Sequence, residues 1–162
     1  DITIYPYPVL LINCVSFEKV DDNFISTVSI MVDTMRAAEG IGLAAPQVGI
    51  LQRFFVCLDF DDENKEKTIV LINPEITKME GRIESKEGCL SIPGFYEYVY
   101  RYEKIEIKAY DLTGKEVIYV PDGIQSVVFQ HEFDHLDGIL FPERMSQIKK
   151  DIFMKKINKE FK

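Results

Sequence analysis

Histidine is scarce in this sequence, with two in 162 residues, and cysteine nearly so, with three. The cysteines, Cys14, Cys57 and Cys89, are odd in number and irregular in spacing. That excludes a disulfide framework and favours a reducing compartment. No run approaches the ~18 apolar residues of a membrane span, so no membrane partner is expected. Val9 to Ile12 is too short, and lacks the basic flank, for a signal peptide. A cytoplasmic location is the expectation. An organelle is the alternative, because Asp1 rather than Met opens the sequence. Basic residues are outnumbered, 19 against 27 acidic, and a net charge of −8 argues against DNA or bulk nucleic acid as partner. Repeats, low-complexity tracts and a break marking a second domain are also missing. What remains is 46% hydrophobic and 28% charged, ordinary for one globular domain over residues 1–162.

Ile4 to Leu10 is a proline-stiffened arm that cannot be a helix interior. Asp21-Asp22 open a helix to about Ala38. Phe24, Val28, Met31, Met35 and Ala38 line its buried face, and Gly40 stops it. Gly40 to Gly49 is small and turn-rich, with Gln47 its one prominent side chain. It lacks the preceding strand and the third glycine of a dinucleotide loop. Arg53–Asp59, Thr68–Ile72, Glu80–Ser85, Tyr98–Tyr102, Lys104–Tyr110 and Glu116–Val120 read as strands. A charged loop is expected over Asp61–Lys67, and a turn at Asp111–Gly114. Cys57 reads as a core thiol. A last helix runs Ser146–Phe161 with Ile148, Ile152, Phe153 and Ile157 on one face. Helix, strands, then helix is an α+β pattern.

Both histidines fall in Gln130-His131-Glu132-Phe133-Asp134-His135-Leu136-Asp137-Gly138. Positions four apart stack on a helix, so His131 and His135 offer two imidazoles to one ion. Glu132 sits one step round, able to take a proton from a water that the ion activates. At about 100° per residue, Ile124, Val127, Val128, His131 and His135 form one stripe, and Phe129, Phe133 and Leu136 the opposite one. Ser126, Gln130, Asp134 and Asp137 leave only a narrow polar edge, so the helix is expected between two layers. Two core histidines are the plain alternative.

A catalytic site of this type wants a third protein ligand. No histidine remains, so it is Cys, Asp or Glu. Glu143, Asp151 and Glu160 downstream look like surface residues. Cys89, in Glu87-Gly88-Cys89-Leu90-Ser91, is expected in a loop open to an ion. An inert buried thiol is the alternative.

Three stretches, Gly40-Ile41-Gly42-Leu43-Ala44-Ala45-Pro46-Gln47, Glu87-Gly88-Cys89-Leu90-Ser91 and Gln130 to Gly138, resemble in order and spacing the signature motifs of the peptide deformylase family. The resemblance implies an α+β fold with small antiparallel or mixed sheets around a central metal-binding helix. It implies removal of the formyl group from N-formylmethionine on new polypeptides. Cys89, His131 and His135 become the ligands of one divalent ion. Fe2+ is favoured in the cell, with Zn2+, Ni2+ or Co2+ as alternatives in a purified sample. Glu132 becomes the catalytic acid and base, and Gln47 with the Leu90 backbone N–H the oxyanion donors. Ile41, Ile124, Val127 and Val128 would line the methionine pocket. Ile41 and Gly88 would hold the peptide backbone in strand fashion, with Gly42 in the same substrate-binding set. Where many bacterial members carry an Arg, this chain has Tyr96, so the resemblance carries over no basic contact there.

Two other readings stand beside this one. A zinc endopeptidase of the His-Glu-x-x-His type would use the same helix. A non-catalytic, metal-stabilised module would need a fourth protein ligand and no Glu132. The last helix adds a partner expectation. Six lysines (149, 150, 155, 156, 159, 162) face two acids there, on a chain that is acidic overall. A transient contact with ribosomal RNA phosphate is expected of it, an ordinary solvated helix being the alternative.

Overall fold

The computed structural model describes residues 1–60 and 63–162. Helix α1 spans Asp22–Ala37, opened by Asp21, whose carboxylate accepts the Phe24 backbone N–H at 2.9 Å. It ends before Gly40: Glu39 takes the left-handed conformation (φ 56°) that closes it. Gly40 is small for another reason, since a Cβ there would sit 2.6 Å from Leu90 Cδ1.

Seven strands follow: β1 Gly42–Ala44, β2 Phe54–Phe60, β3 Glu66–Glu80, β4 Ile83–Cys89, β5 Ile92–Arg101, β6 Lys104–Tyr110 and β7 Glu116–Tyr119. Five form a sheet in the order β1-β2-β3-β6-β7, and β4-β5 form a separate hairpin. Every strand pair is antiparallel. Side chains alternate across β2, which is covered on both faces. Phe55 and Cys57 join Leu71, Ile107 and Phe129 under helix α2, Gly123–Leu136. Phe54 and Val56 face α1 through Phe24, Val28 and Met35. A third core, with Leu10, Ile92, Val99, Phe141, Phe153 and Ile157, joins the N-terminal arm, the hairpin and helix α3, Gln147–Glu160. The α+β class expected from sequence holds.

Several boundaries differ. The expected Thr68–Ile72 and Glu80–Ser85 strands are one long β3 and the start of β4. The chain runs through Asn73-Pro74, where the register with β6 shifts between Ile72 and Glu75. A proline fits a strand at such an irregularity. Glu66 and Lys67 of the expected charged loop already belong to β3, and Asp61 and Asp62 lie outside the described residues. β5 begins six residues earlier than expected. Cys89 is not in a loop but is the last residue of β4. On α3, Phe153 and Ile157 are buried, but Ile148 and Ile152 point to solvent, so its packed face is narrower than its apolar residues suggest. On α2 the supposed polar edge is buried: Ser126, Gln130 and Asp134 lie under other elements, while Ile124 is exposed. Among the described residues no helix is long and apolar enough to cross a membrane.

Candidate metal centre and cleft

Helix α2 carries both histidines on the side facing the hairpin, with ring centroids 5.1 Å apart. Gly138, at φ 70°, lets the chain turn away one residue past the cap, and a Cβ there would strike the Leu11 backbone at 2.6 Å. Cys89 arrives from the end of β4 with its Sγ 3.3 Å from His135 Nε2. One donor atom from each of Cys89, His131 and His135 lies within 4.8 Å of the others. Among the described residues two buried side-chain polar atoms lack a partner: His135 Nδ1, on the ring edge away from Cys89, and Glu132 Oε2, beside the cluster. Buried polar atoms are rarely left so, and Glu132 Oε2 marks the cleft beside the three donors as built around something else. A soft thiolate with two imidazoles fits a single Zn2+, Fe2+ or similar ion.

The His131 ring is oriented from behind. Its Nδ1 lies 2.8 Å from Glu87 Oε1. Arg101 donates to both oxygens of Glu87 at 2.8 Å, and through Nη1 to Asp134 Oδ2 at 2.6 Å. Arg144 closes the chain, donating to Asp134 Oδ2 at 2.9 Å and Oδ1 at 2.5 Å. Gln130 ties the far end of the hairpin to α2, accepting from the Tyr102 N–H at 3.0 Å and donating to the Tyr102 carbonyl at 2.8 Å.

Gln47 reaches the same point from the other side. Its Oε1 accepts the Ala44 N–H at 2.9 Å. That fixes the amide so its Nε2 donates to Ser91 Oγ at 3.1 Å, with Cys89 Sγ 3.6 Å away. These groups open onto a cavity of about 510 Å³. Ile41, Gly42 and Gln47 line one wall; Gly88, Cys89 and Leu90 line another. Val127, Val128, His131 and Glu132 lie along α2, with Ile124 at the rim. His135 is buried behind them and is absent from the lining. Gly42 presses on the acid: a Cβ there would meet Glu132 Oε1 at 2.4 Å. The structure thus brings together the residues the sequence singled out.

Known proteins resemble this chain in sequence and in fold. The sequence model of the family described as polypeptide deformylase matches residues 1–151. The peptide deformylase of Thermodesulfovibrio yellowstonii is 43% identical over 156 residues, covering 96% of this chain and 94% of its own. That of Alkalilimnicola ehrlichii is 44% identical, covering 98% and 89%. The chain belongs to the peptide deformylase family. Among solved structures, the peptide deformylase from Thermus thermophilus superposes with a TM-score of 0.91 at 40% identity, covering 98% of this chain and 93% of that one. The enzyme from Legionella pneumophila gives 0.88 at 38%, with the same coverage.

In this deformylase-family chain the electrostatics separate the two carboxylates flanking His131. Burial pushes Glu87 up, but hydrogen bonds from Arg101 and His131 outweigh it and hold the group at about 2. Burial also pushes Glu132 up, and with no comparable donor it reaches about 7. His135 is held well below its ordinary value by burial and then by His131, which keeps it a neutral donor. Burial alone would lower His131 too, but the groups on its two sides, Cys89 and Glu87, raise it.

The sequence reading missed Arg101, Asp134 and Arg144, and missed Glu87 as the support of His131. One signal was there. Alternation along β5 puts Glu97, Val99 and Arg101 on one face, and an arginine beside a core valine calls for a buried acid.

Proposed function

We propose that this chain removes the formyl group from N-formylmethionine at the start of newly made polypeptides. The carrying observation is Glu132: a buried carboxyl near neutrality, one oxygen unpartnered, facing a cleft beside the Cys89, His131 and His135 donors. Those three residues would hold one divalent ion, ferrous iron in the cell, with zinc, nickel or cobalt able to take its place. When bound, the ion supplies Lewis-acid chemistry that makes water a nucleophile near neutral pH. Glu132 would be the group that moves the proton, from the attacking water to the departing amine, and a carboxyl poised near 7 can do both. Gln47 Nε2 and the Leu90 N–H donate to the formyl oxygen as charge builds on it, each worth ~3 kcal/mol. Val127, Val128 and Ile124 flank the methionine side chain, and the backbone at Ile41, Gly42 and Gly88 holds the peptide.

The setting in this proposal is a bacterial cytoplasm or an organelle that starts chains with formylmethionine. A transient ribosome contact through α3 belongs to it. Lys149, Lys155, Lys156, Lys159 and Lys162 are exposed there, while Lys150 pairs with Glu143 at 2.6 Å.

The test is formate release from formyl-Met-Ala by protein of measured metal content, beside Glu132→Gln. The variant should keep its metal and lose at least ~100-fold in turnover. Near-normal turnover would refute the role of Glu132. Cleavage of an internal peptide bond, without formate release, would favour the endopeptidase.

A further inference from the structure

Strand β5 carries tyrosine at every second position, Tyr96, Tyr98 and Tyr100, with Tyr102 just past its end. The residues between them, Val99 and Arg101, are buried, yet the four tyrosines are 63%, 48%, 50% and 46% exposed. Period-two spacing places them on one outward face. Their partners on β4 are Gly88 for Tyr96, Lys86 for Tyr98 and Glu84 for Tyr100. Two of the rings are already held. Tyr96 lies over Gly88, where a Cβ would meet its Cε1 at 2.4 Å. The Arg82 guanidinium stacks 3.6 Å from the Tyr100 centroid. Rings fixed in advance lose little entropy on contact.

The row is continuous with the cleft. Tyr96 lines it, with Ser85, Lys86 and Gly88 of β4. The hairpin is two-stranded, so among the described residues β4 keeps a second edge with no strand on it. We infer that the outward tyrosines of β5 form a rail for the stretch of substrate that follows the methionine, an extended peptide with apolar or aromatic side chains. The inference rests on the deformylase reading of the cleft. Tyrosines two residues apart on a strand repeat every ~6.7 Å, the repeat of alternate side chains in an extended peptide. Alternation turns the side chains one and three places after the methionine away from the α2-lined pocket and onto this outward face, beside Tyr98 and Tyr100. The charges alongside are mixed, Arg82 and Lys86 with Glu84, on a chain of net charge −8, which does not suit a phosphate backbone. A peptide in strand form can use both the β4 edge and the rings.

The experiment compares kcat/KM for formyl-Met-Ala, formyl-Met-Phe-Ala-Phe and formyl-Met-Ser-Ala-Ser. The parent should prefer the phenylalanine peptide over the serine peptide by about 5-fold or more, from two aromatic contacts. In Tyr98→Ser/Tyr100→Ser that ratio should fall to within about twofold, with formyl-Met-Ala unchanged because its alanine brings no aromatic ring to the row. Tyr98→Ser alone, which spares the Arg82–Tyr100 stack, should remove about half the preference on a logarithmic scale. A parent ratio near one, or a ratio that survives the double variant, overturns the rail. If sedimentation shows a parent dimer that the double variant abolishes with the ratio intact, the face is for self-association and the inference fails. If the parent releases no formate from formyl-Met-Ala, the deformylase reading itself falls, and the rail with it.

Discussion

Replacing Arg101 with Met would remove the one side chain that holds both buried acids behind the site. Its guanidinium is 3% exposed and binds Glu87 through two nitrogens and Asp134 through the third. Breaking a buried pair from one side costs ~3–5 kcal/mol, because the abandoned charge stays buried. Asp134 keeps Arg144 and Glu87 keeps His131, so a loss of ~3 kcal/mol at pH 7 is expected here. In a chain of this size that lowers Tm by ~6–12 °C. Urea unfolding followed by circular dichroism reads it directly. The support of His131 also loosens, so metal affinity should fall ~10–100-fold. Acid gives a second readout on protein stripped of metal. Glu87 sits at about 2 in the fold against an ordinary 4.5, a depressed carboxyl. Its stabilisation, ~3 kcal/mol, is full above pH 4.5 and is lost as pH falls towards 2, with roughly half left at pH 3. Arg101→Met removes the main cause of the depression, so the gap between parent and variant should narrow from pH 6 to pH 3. A loss under ~1 kcal/mol with unchanged metal affinity, or a gap indifferent to acid, would refute this account of the network.

Two further outcomes are expected. Gly42→Ala sets a methyl where Glu132 Oε1 now lies, so the carboxylate must move. Turnover should drop ~10–100-fold with the fold and metal content kept, as measured by formate release and metal analysis, because small misplacements of a reacting group are costly. Changing Lys149, Lys155, Lys156 and Lys159 to Glu should abolish low-salt co-sedimentation with ribosomes and leave formyl-Met-Ala hydrolysis intact; undiminished co-sedimentation would reduce α3 to packing.

The centre was legible because its chemistry is tied to spacing. Two histidines four apart on a helix must share a side, and Cys89 was the best remaining soft donor. Gln47 stood out as a polar side chain in an apolar loop. The supporting shell was not legible, because no period announces a buried ion pair. Asp134 and Gln130 fall where an amphipathic helix shows its solvent face, and only the hairpin laid across them makes that face interior. The same limit explains α3, where four apolar residues share one helical face but only two find a partner. The strand expected over Thr68–Ile72 falls short for a different reason: β3 continues past it through Asn73-Pro74 by a shift in pairing that no local propensity encodes.

The Cys89, His131 and His135 cluster lies where two of the three hydrophobic cores meet. Cys89 packs with the core shared by the hairpin, the arm and α3, while Val128, Phe129 and Leu136 root α2 in the core of the large sheet. The His131 ring reaches from one to the other, stacking on Phe141 with centroids 6.2 Å apart. The donor spacing therefore depends on how the two cores are seated against each other, and a packing change in either one reaches the site without touching a donor residue.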